Sequence, residues 1–171
     1  MKNIALISDT HSYFGEDINK YLKQSDEIWH AGDIGDIETL DKYRSLKKTR
    51  AVYGNIDGHE LRNDIPEHLI FEIENLKVLI IHIGGYPGRY TPKAKRLIKE
   101  YNPDIFISGH SHILKIMPDK ENDLLHMNPG ACGIKGFHAV RTIILFSLDK
   151  GKIENVRVVE FDKRVPVRKL H

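Results

Sequence analysis

The sequence predicts an α/β fold: a four-layer α-β-β-α sandwich, two packed mixed sheets flanked by helices. Two observations predict it. In the first half, short β-branched apolar runs alternate with amphipathic stretches, the pattern of parallel strands joined by right-handed crossovers. In the second half, apolar runs come in pairs around short polar turns, the pattern of antiparallel hairpins. A front of one kind and a back of the other suit two sheets face to face with helices outside.

The elements follow in order. Asn3–Ser8, Glu27–Ala31, Arg50–Tyr53, Val78–Ile83 and Asp104–Ser108 are too short for helices and suit buried strands. Gly15–Lys23, Asp36–Leu46 and Thr91–Tyr101 are helical between them. The last opens with Thr91 as an N-cap and Pro92 in the first turn. Leu69–Ile73 and Lys77–His82 are neighbouring strands around Glu74–Leu76. Ile113–Met117 and Leu124–Met127 flank Asp119–Asp123, and Ala139–Leu148 and Lys152–Phe161 flank Asp149–Gly151. The basic segment Asp162–His171 reads as a solvated tail.

Composition narrows the function classes. The 171 residues match the usual size of one domain, so a single domain over 1–171 is expected. With 26 basic and 24 acidic residues the net charge is +2, too balanced to steer the chain to nucleic acid or an anionic membrane. No run approaches the ~18 apolar residues of a membrane span, and no targeting signal is visible. A single cysteine, Cys132, excludes an intrachain disulfide framework and fits a reducing, cytoplasmic setting.

The chemistry gathers where apolar runs end. The first run is followed by Asp9 and His11, the second by Gly32-Asp33, and the third by Gly54-Asn55. His82 ends the fourth, and Gly109-His110-Ser111-His112 follows the fifth. Ligand sites in open α/β sheets form outside the carboxyl ends of strands, so five such ends predict one pocket. Each piece has an ordinary structural use: Asp9 and Asp33 as helix caps, Gly54-Asn55 as a turn, His82 as a core histidine. Their joint placement is what points to a site. Mixed oxygen and nitrogen ligands suit Mn²⁺, Fe²⁺, Zn²⁺ or Ni²⁺ better than Mg²⁺ or Ca²⁺. Seven ligands exceed one four-coordinate zinc and suffice for two ions sharing a carboxylate. Two ions can clamp a phosphoryl group and acidify a bridging water. Four positive charges, less two aspartates and a hydroxide, leave a surplus that favours an anionic phosphate.

At these residues the sequence resembles the calcineurin-like metallophosphoesterase superfamily, most of all its small single-domain bacterial and archaeal phosphodiesterases. The order of blocks carries the resemblance: Asp9-Thr10-His11, Gly32-Asp33, Gly54-Asn55, His82, then Gly109-His110-Ser111-His112. Asn128-Pro129-Gly130 resembles a family loop near the site. The resemblance implies two sheets flanked by helices. It implies that Asp9, His11, Asp33 and His112 hold one divalent metal, Mn²⁺ foremost. It implies that Asp33, Asn55, His82 and His110 hold the other, with Asp33 bridging and a hydroxide between the ions attacking phosphorus. The same fold also serves as a protein-interaction platform in retromer-like assemblies that have lost the catalytic ligands, whereas all seven positions are intact here.

Two departures stand out. Many members place a leaving-group histidine directly after the block asparagine; here that residue is Ile56, which has no proton to donate. Activated or phenolic diesters are therefore expected over alkyl monoesters; Asp57 or His59 could substitute for the missing acid, though both read first as part of a turn and a solvated loop. The second is His82-Ile83-Gly84-Gly85, where relatives often carry glycine directly after the histidine.

Of the remaining candidates, His30 reads as a buried partner of the ligands, His126 as structural, and His68 as exposed. His138 is a core residue before it is a substrate contact. Arg62, Arg89 and Arg141 are candidate phosphate binders, and Cys132 is a buried inert thiol. The expected partner is a small phosphate ester, with nucleic acid only as a possible substrate, no membrane, and a homo-oligomer left open. A phosphomonoesterase acting on small phosphorylated metabolites is the alternative enzyme, and the interaction scaffold the alternative of a different class.

Overall fold

A computed structural model of the chain describes residues 1–163; most of the basic tail, residues 164–171, lies outside them. Ten strands form two five-stranded mixed sheets. The first has the order β10 (Lys152–Asp162), β9 (Val140–Asp149), β1 (Lys2–Ile7), β2 (Glu27–His30), β3 (Lys48–Ala51). The second runs β4 (His68–Ile73), β5 (Leu76–Ile81), β6 (Ile105–Ile107), β8 (Leu124–Pro129), β7 (Leu114–Asp119). β1, β2 and β3 are parallel, as are β5, β6 and β8, and antiparallel strands complete each sheet.

Strand alternation builds the layers. In β1, Ile4 and Leu6 face the second sheet, where they meet Val78, Ile80 and Ile107. Ala5 and Ile7 point the other way, towards Ile18 and Leu22 of α1 (Glu16–Leu22) and Tyr43 of α2 (Ile37–Leu46). On the far side, Leu79 and Phe106 pack against Ala94, Leu97 and Ile98 of α4 (Pro92–Tyr101). Period-two alternation thus gives each sheet one face for its partner and one for helices. Trp29 is fully buried between the sheets, its ring edge-on to Phe71 and Phe146.

Helix starts follow their caps. Asp36 accepts the Thr39 N–H at 2.7 Å, and the Thr91 hydroxyl accepts the Ala94 N–H at 3.2 Å ahead of Pro92. Three expectations needed correction. β3 begins at Lys48 rather than Arg50, because this charged strand is held by Glu27, which pairs with Lys48 at 3.2 Å and Arg50 at 2.8 Å. The short helix α3 (His59–Asp64) lies where the sequence suggests a loop. His68 is half-buried in β4 rather than exposed.

Candidate metal centre

The parallel strands β1, β2, β3, β5 and β6 all end at one edge of the sandwich, and the loops leaving them are tied together. Asp9 donates its N–H to Gly32 O at 2.9 Å, His11 to Asp33 O at 3.0 Å, and Ser12 to Ile34 O at 2.7 Å. Gly109 N–H reaches His82 O at 2.9 Å across the second sheet. Cys132 and Gly133, just past β8, donate to Ser8 O and Asp9 O at 3.1 and 3.2 Å, joining the sheets.

These bonds gather all seven expected ligands. Asp9, His11 and His112 present ligand atoms within 4.8 Å of one another, and so do Asp33, His82 and His110. Asp33 Oδ2 lies between the groups, 3.2 Å from His82 Nε2 and 3.7 Å from His11 Nε2. Asn55 Oδ1 lies 3.1 Å from His82 Nε2 and 3.0 Å from His110 Nδ1.

Each carboxylate is anchored by one oxygen and aims the other inward. Asp9 Oδ2 accepts from Ser8 Oγ at 2.6 Å and from the His110 N–H at 3.1 Å, leaving Oδ1 to the site. Asp33 Oδ1 accepts the Ile56 N–H at 3.0 Å. The histidines are oriented in the same way. His82 donates from Nδ1 to Ala31 O at 2.7 Å, so Nε2 is the nitrogen turned towards the site. His138 donates from Nε2 to Gly133 O at 2.9 Å, so its Nδ1 accepts from His112 Nδ1 at 3.1 Å. His112 Nε2 is thereby left as a lone pair 3.1 Å from Asp9 Oδ1.

The residues present fit divalent cations. Asp9 Oδ1 and His11 Nε2 are buried with no hydrogen-bond partner. Acceptors that face one another at this range are stable only with positive charge between them. The strain agrees: Asp9, His11, Asp33, His110 and His112 all adopt positive φ, from 44° to 71°, a conformation that non-glycine residues hold mainly where surroundings impose it. Glycine is required beside the ligands. A Cβ on Gly54 would overlap Asp33 Oδ1, and one on Gly32 would lie 2.6 Å from His82 Nδ1. Burial works to raise the Asp33 carboxyl, but the His82 ring and the Ile56 N–H overcome it and hold the group below the usual carboxylate range. Burial likewise works to lower His82, and Asp33 and Asp9 reverse the effect.

Other candidates fall elsewhere. Asp57 is buried behind the Gly54-Asn55 turn and accepts the N–H groups of Ile34, Gly35 and Gly54 at 3.1, 2.9 and 2.8 Å. His59 is exposed at the start of α3, its Nε2 3.0 Å from Asn63 Nδ2. His30 is buried; its Nδ1 accepts the Gly32 N–H and its Nε2 donates to Thr10 Oγ1, which passes the bond to Ile34 O. Arg141 is not free for phosphate: it is buried, paired with Asp17 at 2.8 Å, and bonded to Cys132 O. Arg62 bonds the carbonyls of Asp57, Gly54 and Asn55, and Arg89 is exposed. Burial pushes the Cys132 thiol up to about 12, which leaves it inert. Sequence reasoning missed Ser8 as the anchor of Asp9 and His138 as the partner of His112. Only the position of His138 in the loop after Asn128-Pro129-Gly130 hints at its role.

Residues 1–151 match the sequence model of the calcineurin-like phosphoesterase superfamily domain. This chain belongs to the calcineurin-like phosphoesterase superfamily. A probable metallophosphoesterase of Methanocaldococcus jannaschii is 37% identical over 134 residues, 75% of this chain and 67% of the relative. Another, from Methanothermobacter thermautotrophicus, is 33% identical over 75% of this chain and 76% of its own. Among solved structures, one described as a novel archaeal phosphodiesterase superposes with a TM-score of 0.71 at 24% identity, covering 93% of this chain and 99% of its own. Vps29 of Chaetomium thermophilum gives 0.72 at 17%, covering 94% and 95%. At these identities the superpositions show the shared fold. Membership makes the chain a metal-dependent phosphoesterase, and no helix among the described residues is long and apolar enough to cross a membrane.

Proposed function

We propose that this member of the superfamily is a phosphodiesterase working with two divalent cations, Mn²⁺ foremost, with residues 1–171 acting as a single domain. The observation that carries the reading is the meeting of the two ligand groups at Asp33 Oδ2. Asp9, His11, Asp33 and His112 would hold one ion, and Asp33, Asn55, His82 and His110 the other. Cations held there supply Lewis-acid charge to a phosphoryl group and acidify water.

The chain's own residues do the positioning. Ser8, the Ile56 N–H, Ala31 O and His138 lock the ligand side chains in one orientation, so little reorganisation is left for the reaction. Ile56 stands exposed beside Asn55 and offers no proton to a departing oxygen. Asp57 is saturated by backbone N–H groups, and the ring of His59 is turned to Asn63. Leaving groups must then depart unassisted, which favours phenolic and other activated diesters over alkyl monoesters.

The test is turnover of bis(p-nitrophenyl) phosphate against p-nitrophenyl phosphate with Mn²⁺, together with metal content, in the natural protein and in Asp33→Ala and His82→Ala. Faster diester turnover is expected, with loss of metal and at least ~100-fold loss of rate in both variants. Equal or faster monoester turnover would make the chain a phosphomonoesterase. Full activity in either variant would refute the site. No metal uptake by the natural protein would leave the interaction scaffold as the reading.

A further inference from the structure

A cleft of about 470 Å³ lies between α3 and the start of α4, within the ~300–1,000 Å³ range of small-molecule sites. Asn55 and His82 belong to its lining, so it adjoins the candidate metal centre. Tyr53, Ile81, Ile83 and Pro92 give it apolar walls, and Ile83 is 42% exposed. Three charged side chains line it as well. Lys93 Nζ pairs with Glu67 at 2.5 Å, so those two cancel. Arg62 is the charge left over. Its guanidinium sits 4.7 Å from the centre of the Tyr53 ring. Nε donates to Asp57 O at 2.6 Å, and Nη2 to Gly54 O and Asn55 O at 3.4 and 3.3 Å. Among the described residues no carboxylate pairs with Arg62 and Nη1 has no acceptor, and the residue is exposed.

We propose that this cleft seats an ester arm of the substrate, a ring-sized apolar group with a negative charge of its own, and that Arg62 meets that charge. The inference deepens the phosphodiesterase reading and rests on it for placing the reacting phosphoryl group at Asn55 and His82. Three features support it. Apolar walls beside the metal ligands remove a ring from water without competing for the cations. Carbonyl acceptors satisfy N–H groups of Arg62 but leave its charge unneutralised, and a lone cation beside apolar walls attracts an anion more strongly than one in open water. A guanidinium already held by three carbonyls and a ring is fixed before any ligand arrives, so little freedom is lost on binding. The same charge repels an arm that ends in an ammonium group.

The test measures inhibition of bis(p-nitrophenyl) phosphate hydrolysis by methylphosphonate, phenylphosphonate and 4-carboxyphenylphosphonate with the Mn²⁺-loaded protein. It also follows amide shifts of the Zn²⁺-loaded protein on titration with each. None of the three has an ester bond to break, so leaving-group chemistry drops out. Phenyl should bind roughly tenfold tighter than methyl, the worth of a partly buried ring. The carboxylate should add roughly tenfold more, the worth of a charged hydrogen bond. The signals of Ile83 and Arg62 should move. Arg62→Met should bring the carboxylate-to-phenyl ratio towards one and keep the phenyl-to-methyl ratio, whereas equal weakening of all three would mark a merely structural role and overturn the subsite. Should Arg62→Met not fold, Ile83→Glu should reverse the preference for the carboxylate. Normal diester hydrolysis with no gain from ring or carboxylate would overturn the subsite alone. No hydrolysis of any diester, with titration shifts at Ile83 and Arg62 and the carboxylate still ahead, would sink the phosphodiesterase reading and leave the subsite standing.

Discussion

At the scale of single residues, the candidate centre is held by groups that bond the expected ligands from behind. His138 fixes which nitrogen of His112 faces Asp9. His138→Leu should weaken metal binding ~10- to 100-fold, the usual effect of losing a ligand's hydrogen-bond partner, as read by calorimetric titration with Mn²⁺. Ile56 is the opposite case, a position where a proton donor is missing. Ile56→His should raise turnover of alkyl esters by ~100-fold, the lower range of general-acid catalysis, and change little for bis(p-nitrophenyl) phosphate; equal effects on both would show that departure is not limiting. The convergence of Asp9, His11, Asp33, Asn55, His82, His110 and His112 was legible because aspartate, asparagine and histidine at strand ends have few joint uses. Asp57 was not legible in its role, because nothing in the spacing says that a carboxylate will receive three backbone N–H groups.

At the scale of elements, Asp57 stitches the loop after β3 to the loop after β2. Asp57→Ala would leave three N–H groups unpaired. At ~1–3 kcal/mol for an unsatisfied buried donor, a loss of at least about 3 kcal/mol is expected in urea unfolding, with metal binding weakened as well. Hydrophobic period made most strands and the helices α1, α2 and α4 readable. β3 was misplaced because its outer residues are charged and answer to Glu27 across the sheet, a contact invisible to a reading of apolar runs. α3 was missed because six residues with one buried side chain, Leu61, carry no periodic signal.

At the scale of the molecule, acid should loosen the fold in a defined window. His30 and His126 are held neutral by burial, at about 3 and about 4, against about 6.5 in an unfolded chain. The unfolded chain therefore binds protons first as pH falls. The full stability is present above about 6.5 and is lost on acidification towards the folded values, by up to ~1.4 kcal/mol per pH unit for each ring. Urea midpoints of the metal-free protein between about pH 7.5 and 5 should show this slope, and His126→Leu should make it shallower.

The two ligand groups also draw on both halves of the sandwich. Asp9 and His11 follow β1 in one sheet, while His112 follows β6 in the other; Asp33 follows β2, while His82 and His110 follow β5 and β6. A cation in either group is therefore a rivet between sheets that share no strand. Stripping the ions with a chelator should lower the melting temperature by several degrees and speed unfolding, since any ligand bound only to the native state deepens its well. In such a protein the catalyst and the clasp are the same object.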